Sequence, residues 1–164
     1  MDAHEAGGLW LLREMWGFPA GVPEDERIDY LKAIMVCARA EGHLTPGEKE
    51  WVIGYGAACG AHQETVDALR VYDADEDIDE ILERNMPTAQ TWGRVAIFDA
   101  IRAASADHQY DEAEMEAIRR LATRLNIGEN VIAELEALHR DEVALKQRRI
   151  DLVFGEQVPY QDLG

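Results

Sequence analysis

Apolar residues recur every three or four positions along most of this chain, and no stretch alternates with the two-residue period of a strand. The pattern predicts an all-α protein with essentially no β-sheet. Trp10, Leu11, Leu12, Met15 and Trp16 make a short apolar helix that stops before Gly17-Phe18-Pro19. Pro23 opens the next helix, with Glu24, Asp25 and Glu26 where the helix dipole favours anions. Ile28, Leu31, Met35 and Ala38 give it a buried stripe that ends at Gly42. Thr45-Pro46 followed by Glu48 is a capping box with proline in the first turn, so a third helix runs through Trp51, Val52 and Tyr55 to Gly60. Val66, Leu69 and Val71 mark a short fourth helix, and the acid-rich stretch Asp73 to Glu80 leads into a fifth at Ile78, Ile81 and Leu82, closed by Asn85-Met86-Pro87. Val95, Phe98 and Ile101 line the helix after that. Asp111 with Glu114 sets another cap, and Met115, Ile118, Leu121 and Leu125 continue to Gly128. From Asn130 a long last helix carries Val131, Leu135, Leu138, Val143 and Leu145, after which Val153 to Gly164 is expected to be extended because Gly155 and Pro159 oppose helix.

Two stretches offset by 66 residues read as copies of one helical hairpin, Leu31 to Leu69 and Ile97 to Leu135. Without a gap, Ala38 falls on Ala104, Ala40 on Ala106, Glu41 on Asp107, Glu48 on Glu114, Glu50 on Glu116 and Leu69 on Leu135. The expected architecture is a bundle of seven to eight helices built from two hairpins related by a pseudo-twofold. Residues 1–164 read as a single domain: an extra helix at 3–17, a first repeat at 28–69, a connector at 70–90, a second repeat at 94–135, and a C-terminal helix and tail at 136–164.

Composition narrows the partners. Against 33 Asp and Glu stand 16 Lys and Arg, a net charge of −17 that repels nucleic-acid backbones and anionic membrane surfaces. No apolar run approaches the length of a membrane span and no basic leader precedes an apolar stretch, so a cytoplasmic protein without membrane insertion is expected. Cys37 and Cys59 lack metal-ligand or redox spacing and are expected to be reduced, buried thiols.

At the hairpin bends the chain resembles the TerB-like family of tellurite-resistance-type helical domains, a fold also seen at the N-terminus of the membrane-anchored DjlA co-chaperones. Ala40-Glu41-Gly42 with Thr45-Pro46-Gly47-Glu48, and Ala106-Asp107 with Asp111-Glu112-Ala113-Glu114, carry the likeness. It spans roughly Ile28 to Arg140. Two positions depart from the family's Ala-Asp-Gly turn: Glu41 stands in place of Asp, and His108 in place of Gly. The resemblance implies an accessory role in tellurite resistance or a related stress response.

The acidic loops carry the candidate chemistry. Glu48 and Glu114 are placed to reach back to the first backbone N–H groups of their own helices. Glu41 and Asp107 lie near helix C-termini, where a carboxylate is unfavourable unless a cation or basic group compensates. If the pseudo-twofold brings the loops together, Glu41, His43, Glu48, Asp107, His108, Asp111 and Glu114 offer oxygen and imidazole ligands suited to a divalent Zn, Mn or Fe ion, although neither loop is an EF-hand. The lone Glu136-x-x-His139 pair is one of the two that a di-iron bundle requires beside two further helical carboxylates, so a solvated helical face is its plain reading, and Asp99 with Arg102 reads as an intrahelical ion pair that becomes a site candidate on burial. Trp10, Trp16, Trp51, Trp92, Tyr55, Phe98 and Cys37 are candidates to line a pocket for a small aromatic molecule.

No complete catalytic motif is present. The reading favoured by the sequence is a non-catalytic module that binds a divalent metal or a protein partner through the duplicated loops. The alternatives are a small metal-dependent enzyme acting on an aromatic or apolar molecule through loop His and carboxylate ligands, and a metal-free binder of a small aromatic ligand.

Overall fold

The computed structural model describes residues 1–39, 42–107 and 110–159, with the backbone alone at 86–88. Eight helices follow one another: α1 Ala3–Trp16, α2 Glu24–Ala38, α3 Pro46–Ala58, α4 Gln63–Val71, α5 Ile78–Arg84, α6 Met86–Ala104, α7 Glu112–Arg124 and α8 Glu129–Phe154. No strand occurs among the described residues. Shifting by 66 residues carries the bounds of α3 onto those of α7, and the last residue of α2 and the first of α4 onto the last of α6 and the first of α8.

The local signals explain most of the helix ends. Asp2 caps α1 with a capping box to Glu5, and Gly17 ends it in the left-handed region at φ 69°. Some ends lie elsewhere than the residue pattern predicts. Helix α2 stops at Ala38 rather than Gly42, and Gly42, at φ 89°, serves the turn beyond it. Helix α7 stops at Arg124 rather than at Gly128. Asn126 takes the positive φ of 55° that ends this run, since a short polar side chain tolerates αL, and Gly128 becomes the N-cap of α8. Asn85 closes α5 but also caps α6, which starts inside the stretch read as a connector; Pro87 is tolerated in the first turn because that turn's N–H groups have no intrahelical acceptor. Residues Val153 and Phe154, expected to be extended, belong to α8, which ends at Gly155. The stretch 160–164 lies outside the described residues.

Helices α2 and α6 form the most extensive helix pair, and the core divides around them. One cluster holds Leu31, Ile34, Met35, Val52 and Leu69; the other holds Ile97, Ile101, Ile118, Leu121 and Ile132. Equivalent residues are exchanged between the two. Cys37 of α2 packs into the second cluster, and Ala103 of α6, its counterpart at the 66-residue offset, packs into the first. The hairpins are therefore interlocked through apolar burial, the dominant stabilising term in such a core.

Helix α1 lies against α3 and the turn that follows it. A Cβ on Gly8 would lie 2.6 Å from the Gly60 backbone, so glycine at both places is what allows the approach. Arg27 fastens the same corner. Its guanidinium donates to the carbonyls of Val22 (2.9 Å) and Cys59 and to the Glu24 carboxylate (3.0 Å), while Glu24 also accepts from the His62 backbone N–H (2.8 Å).

Candidate functional site

The two capping boxes form as their spacing requires. In the first, the Thr45 hydroxyl accepts from Glu48 N (3.3 Å) and Glu48 Oε2 accepts from Thr45 N (2.7 Å). In the second, Asp111 Oδ1 accepts from Glu114 N (2.9 Å) and Glu114 Oε2 accepts from Asp111 N (2.8 Å). A cap at a helix N-terminus is ordinarily solvated. Here Glu48 is only 1 % exposed and Glu114 only 3 %.

Their burial has a common cause, because the N-termini of α3 and α7 meet. A Cβ on Gly47 would touch the Asp107 side chain at 3.6 Å, so the first loop's backbone rests on the second loop. Across this junction the two glutamates hydrogen-bond to each other. Burial first, and then the contact with Glu48, pushes the Glu114 carboxyl up to about 8. Near neutral pH Glu114 is thus protonated to a large extent, and its O–H donates to a Glu48 oxygen.

Of the other predicted ligands, Asp111 and Asp107 border the same junction. His43 and Asp111 are exposed, and Asp107 is half-buried beside Gly47. Glu41 and His108 lie outside the described residues. Among the described residues no group of three or more His, Cys, Asp or Glu side chains is arranged to hold a metal ion. What the junction offers is a pair of carboxyl groups with an exchangeable proton.

A second site is aromatic. Trp16, Phe18, Tyr30, Tyr55 and Trp92 line a cavity of about 50 Å³ between α1, α2, α3 and α6, with Cys59 and Arg27 on its wall. That space suits one or two waters and is far smaller than the roughly 150 Å³ that accepts a benzene ring. Trp16 Nε1 donates to the Tyr55 hydroxyl (3.2 Å), and Phe18 meets Trp92 edge-on at 5.0 Å. Of the predicted pocket residues, Trp16, Tyr55 and Trp92 line this cavity. Trp10 is exposed, and Phe98 is a core residue whose ring meets Trp16 edge-on. Trp51 borders a separate open groove under α8, and Cys37 sits in the core cluster around α6. Burial pushes the Cys59 thiol up to about 11 and the Cys37 thiol up to about 12, so neither is an activated nucleophile.

The residue pattern marked the Asp99–Arg102 pair of the polar centre behind this cavity but not its partner on α2. Asp99 is fully buried on α6, where it accepts from the Tyr30 hydroxyl (2.7 Å) and from Arg102 (3.1 Å). Burial raises the Asp99 carboxyl, opposed by the Tyr30 hydrogen bond and the Arg102 charge. The Arg102 guanidinium lies over the rings of Trp51, Tyr55 and Phe98 at 5.1 to 5.6 Å. The Asp-x-x-Arg spacing was visible, but its partner Tyr30 is on another helix. In the Glu136-x-x-His139 pair, Glu136 accepts from the Tyr110 hydroxyl (2.9 Å), while burial and the Arg102 charge hold His139 below its ordinary value.

No helix among the described residues is long and apolar enough to cross a membrane. No protein-family model matches the chain, and none of the curated proteins matches it. Among solved structures, a tellurite resistance protein from Nostoc punctiforme is similar over 98% of this chain and 99% of its own, with 32% sequence identity and a TM-score of 0.88.

Proposed function

Since the chain belongs to the family of tellurite resistance proteins with the TerB-like fold, we propose that it is a non-catalytic accessory domain of a tellurite-type stress response, and that its acidic-loop junction binds a divalent cation. The observation that carries this reading is the buried Glu48–Glu114 pair, with Glu114 holding a proton near neutral pH. A divalent ion entering the junction replaces that proton and is held by two carboxylates already fixed by their capping bonds. Oxygen donors from the loops and water complete the shell of Zn, Mn or Fe(II) in this reading. A binding role is favoured over a catalytic one because both thiols are protonated and the aromatic cavity is too small for an aromatic substrate without repacking.

Calorimetric titration with Zn, Mn, Fe(II) and Ca tests the reading, run near neutral pH in two buffers of different ionisation enthalpy. Binding is expected to release close to one proton per ion, and replacing both glutamates by Gln is expected to abolish it while helical content is unchanged. Protein that takes up none of the four ions, or that binds them equally well without Glu48 and Glu114, would refute the assignment.

A further inference from the structure

Helix α8 continues well beyond the last residue it buries. Ile132 is its buried core residue, and Asp141 to Arg149 are all exposed. Along this projecting part Leu138, Leu145 and Leu152 recur at seven-residue spacing and are 45 %, 56 % and 75 % exposed. Seven residues make two helical turns, so the three side chains form one stripe, on the side of α8 away from Ile132, with Leu145, Glu142 and Arg149 at the rim of the open groove that Trp51 borders. The three leucines make one row of exposed apolar side chains on which a second helix can lie, with charged residues on either side of the row.

The flanks of the stripe identify its occupant. Helical geometry places Glu142 and Arg149 along one side, and Asp141 and Arg148 along the other. On each side an acid is followed, seven residues on, by a base. None of the four is ion-paired among the described residues. Larger charge asymmetry follows the same direction: residues 129–142 hold Glu129, Glu134, Glu136, Asp141 and Glu142 against Arg140, whereas residues 143–154 hold Lys146, Arg148 and Arg149 against Asp151.

We propose that α8 pairs antiparallel with α8 of a second copy of this chain, about a two-fold axis at Leu145. This arrangement sets Leu145 against Leu145 and Leu138 against Leu152. The two-fold brings Glu142 of each copy to Arg149 of the other on one flank, and Asp141 to Arg148 on the other. Parallel pairing would set acid against acid and base against base along both flanks, which repels. The net charge of −17 also opposes contact between the bodies, so association is directed to the one helix that carries its own neutralising charges. The proposal is independent of the cation reading, since it uses no residue of the loop junction.

Sedimentation equilibrium of the full chain tests it. The wild type is expected at twice 18.4 kDa, and Leu145→Asp at 18.4 kDa. The variant D141R/E142R is positive at all four flanking positions, and R148E/R149E negative at all four. Each alone is expected to be monomeric, and an equimolar mixture to regain the doubled mass. Circular dichroism matching the wild type shows that these exposed substitutions leave the fold intact. Separately, mixing L138C with L152C chains under mild oxidation is expected to cross-link the two variants to each other and neither to itself. A monomeric wild type, single charge variants that stay dimeric, a mixture that stays monomeric, or L138C cross-linking to itself would each overturn the proposal.

Discussion

Glu114→Gln probes the junction most directly. In the folded chain the carboxyl is pushed up to about 8 from an ordinary 4.5, so between those values the folded state keeps a proton that the unfolded chain releases. Stability associated with this group is therefore fully present below about pH 4.5 and is lost as pH rises through about 8, by at most about 1.4 kcal/mol per pH unit. The full window gives an upper bound of about 5 kcal/mol; local relaxation of the loops reduces the expected loss to about 2 kcal/mol. Glutamine reproduces the protonated acid, because its carbonyl can accept from Asp111 N while its amide donates to Glu48. In urea unfolding, the variant is expected to match the wild type to within about 1 kcal/mol near pH 5 and to exceed it by about 1–3 kcal/mol near pH 8.5. Surface repulsion acts on both proteins, so the difference between them isolates the junction. Parallel pH profiles for the two proteins would refute the raised Glu114 carboxyl.

Three further outcomes follow from the packing. Gly8→Ala brings a methyl group to 2.6 Å from the Gly60 backbone, which cannot rotate away, and is expected to cost about 1–3 kcal/mol in thermal or urea unfolding. Asp99→Ala leaves the Tyr30 hydroxyl and Arg102 without their carboxylate and is expected to cost about 3 kcal/mol, against about 1 kcal/mol for Tyr30→Phe; equal costs would contradict the central role of Asp99. Cys37 and Cys59 are expected to resist a thiol-specific reagent at neutral pH and to react once the chain is unfolded, because burial holds both thiols protonated.

Features decided within one helical turn were legible in the sequence. Thr45 with Glu48 and Asp111 with Glu114 announced capping boxes, since a cap depends on residues three apart whatever surrounds them. The burial and meeting of those glutamates were not legible, because they depend on how two loops 66 residues apart pack. Helix α1 shows the same limit. It is apolar on several sides, so periodicity could not tell that Trp16 faces the cavity while Trp10 faces solvent. Helix ends failed where a residue other than glycine took the left-handed turn, as Asn126 does two residues before Gly128.

Differences between the two hairpins are as informative as their likeness. At the 66-residue offset Glu48 matches Glu114, and this identity produces the carboxyl pair at the junction. Asp99 and Arg102, by contrast, match Ala33 and Val36 in the first hairpin, and Tyr30 matches Ala96 in the second. The buried polar centre is thus assembled wholly from positions where the hairpins differ, with the acid and base from one and the hydroxyl from the other. A buried charge tolerates only a fully paired arrangement, so this centre admits one docking of α2 against α6 and penalises the reverse. Asp99→Ala with Arg102→Val and Tyr30→Phe removes the acid, the base and the Tyr30 hydroxyl together, leaving of its polar partners the Tyr55 hydroxyl, which still accepts from Trp16. The triple variant is therefore expected to unfold at higher urea concentration than Asp99→Ala alone, and a triple variant no more stable than the single would show that the cost of Asp99→Ala lies in lost volume rather than in the stranded partners.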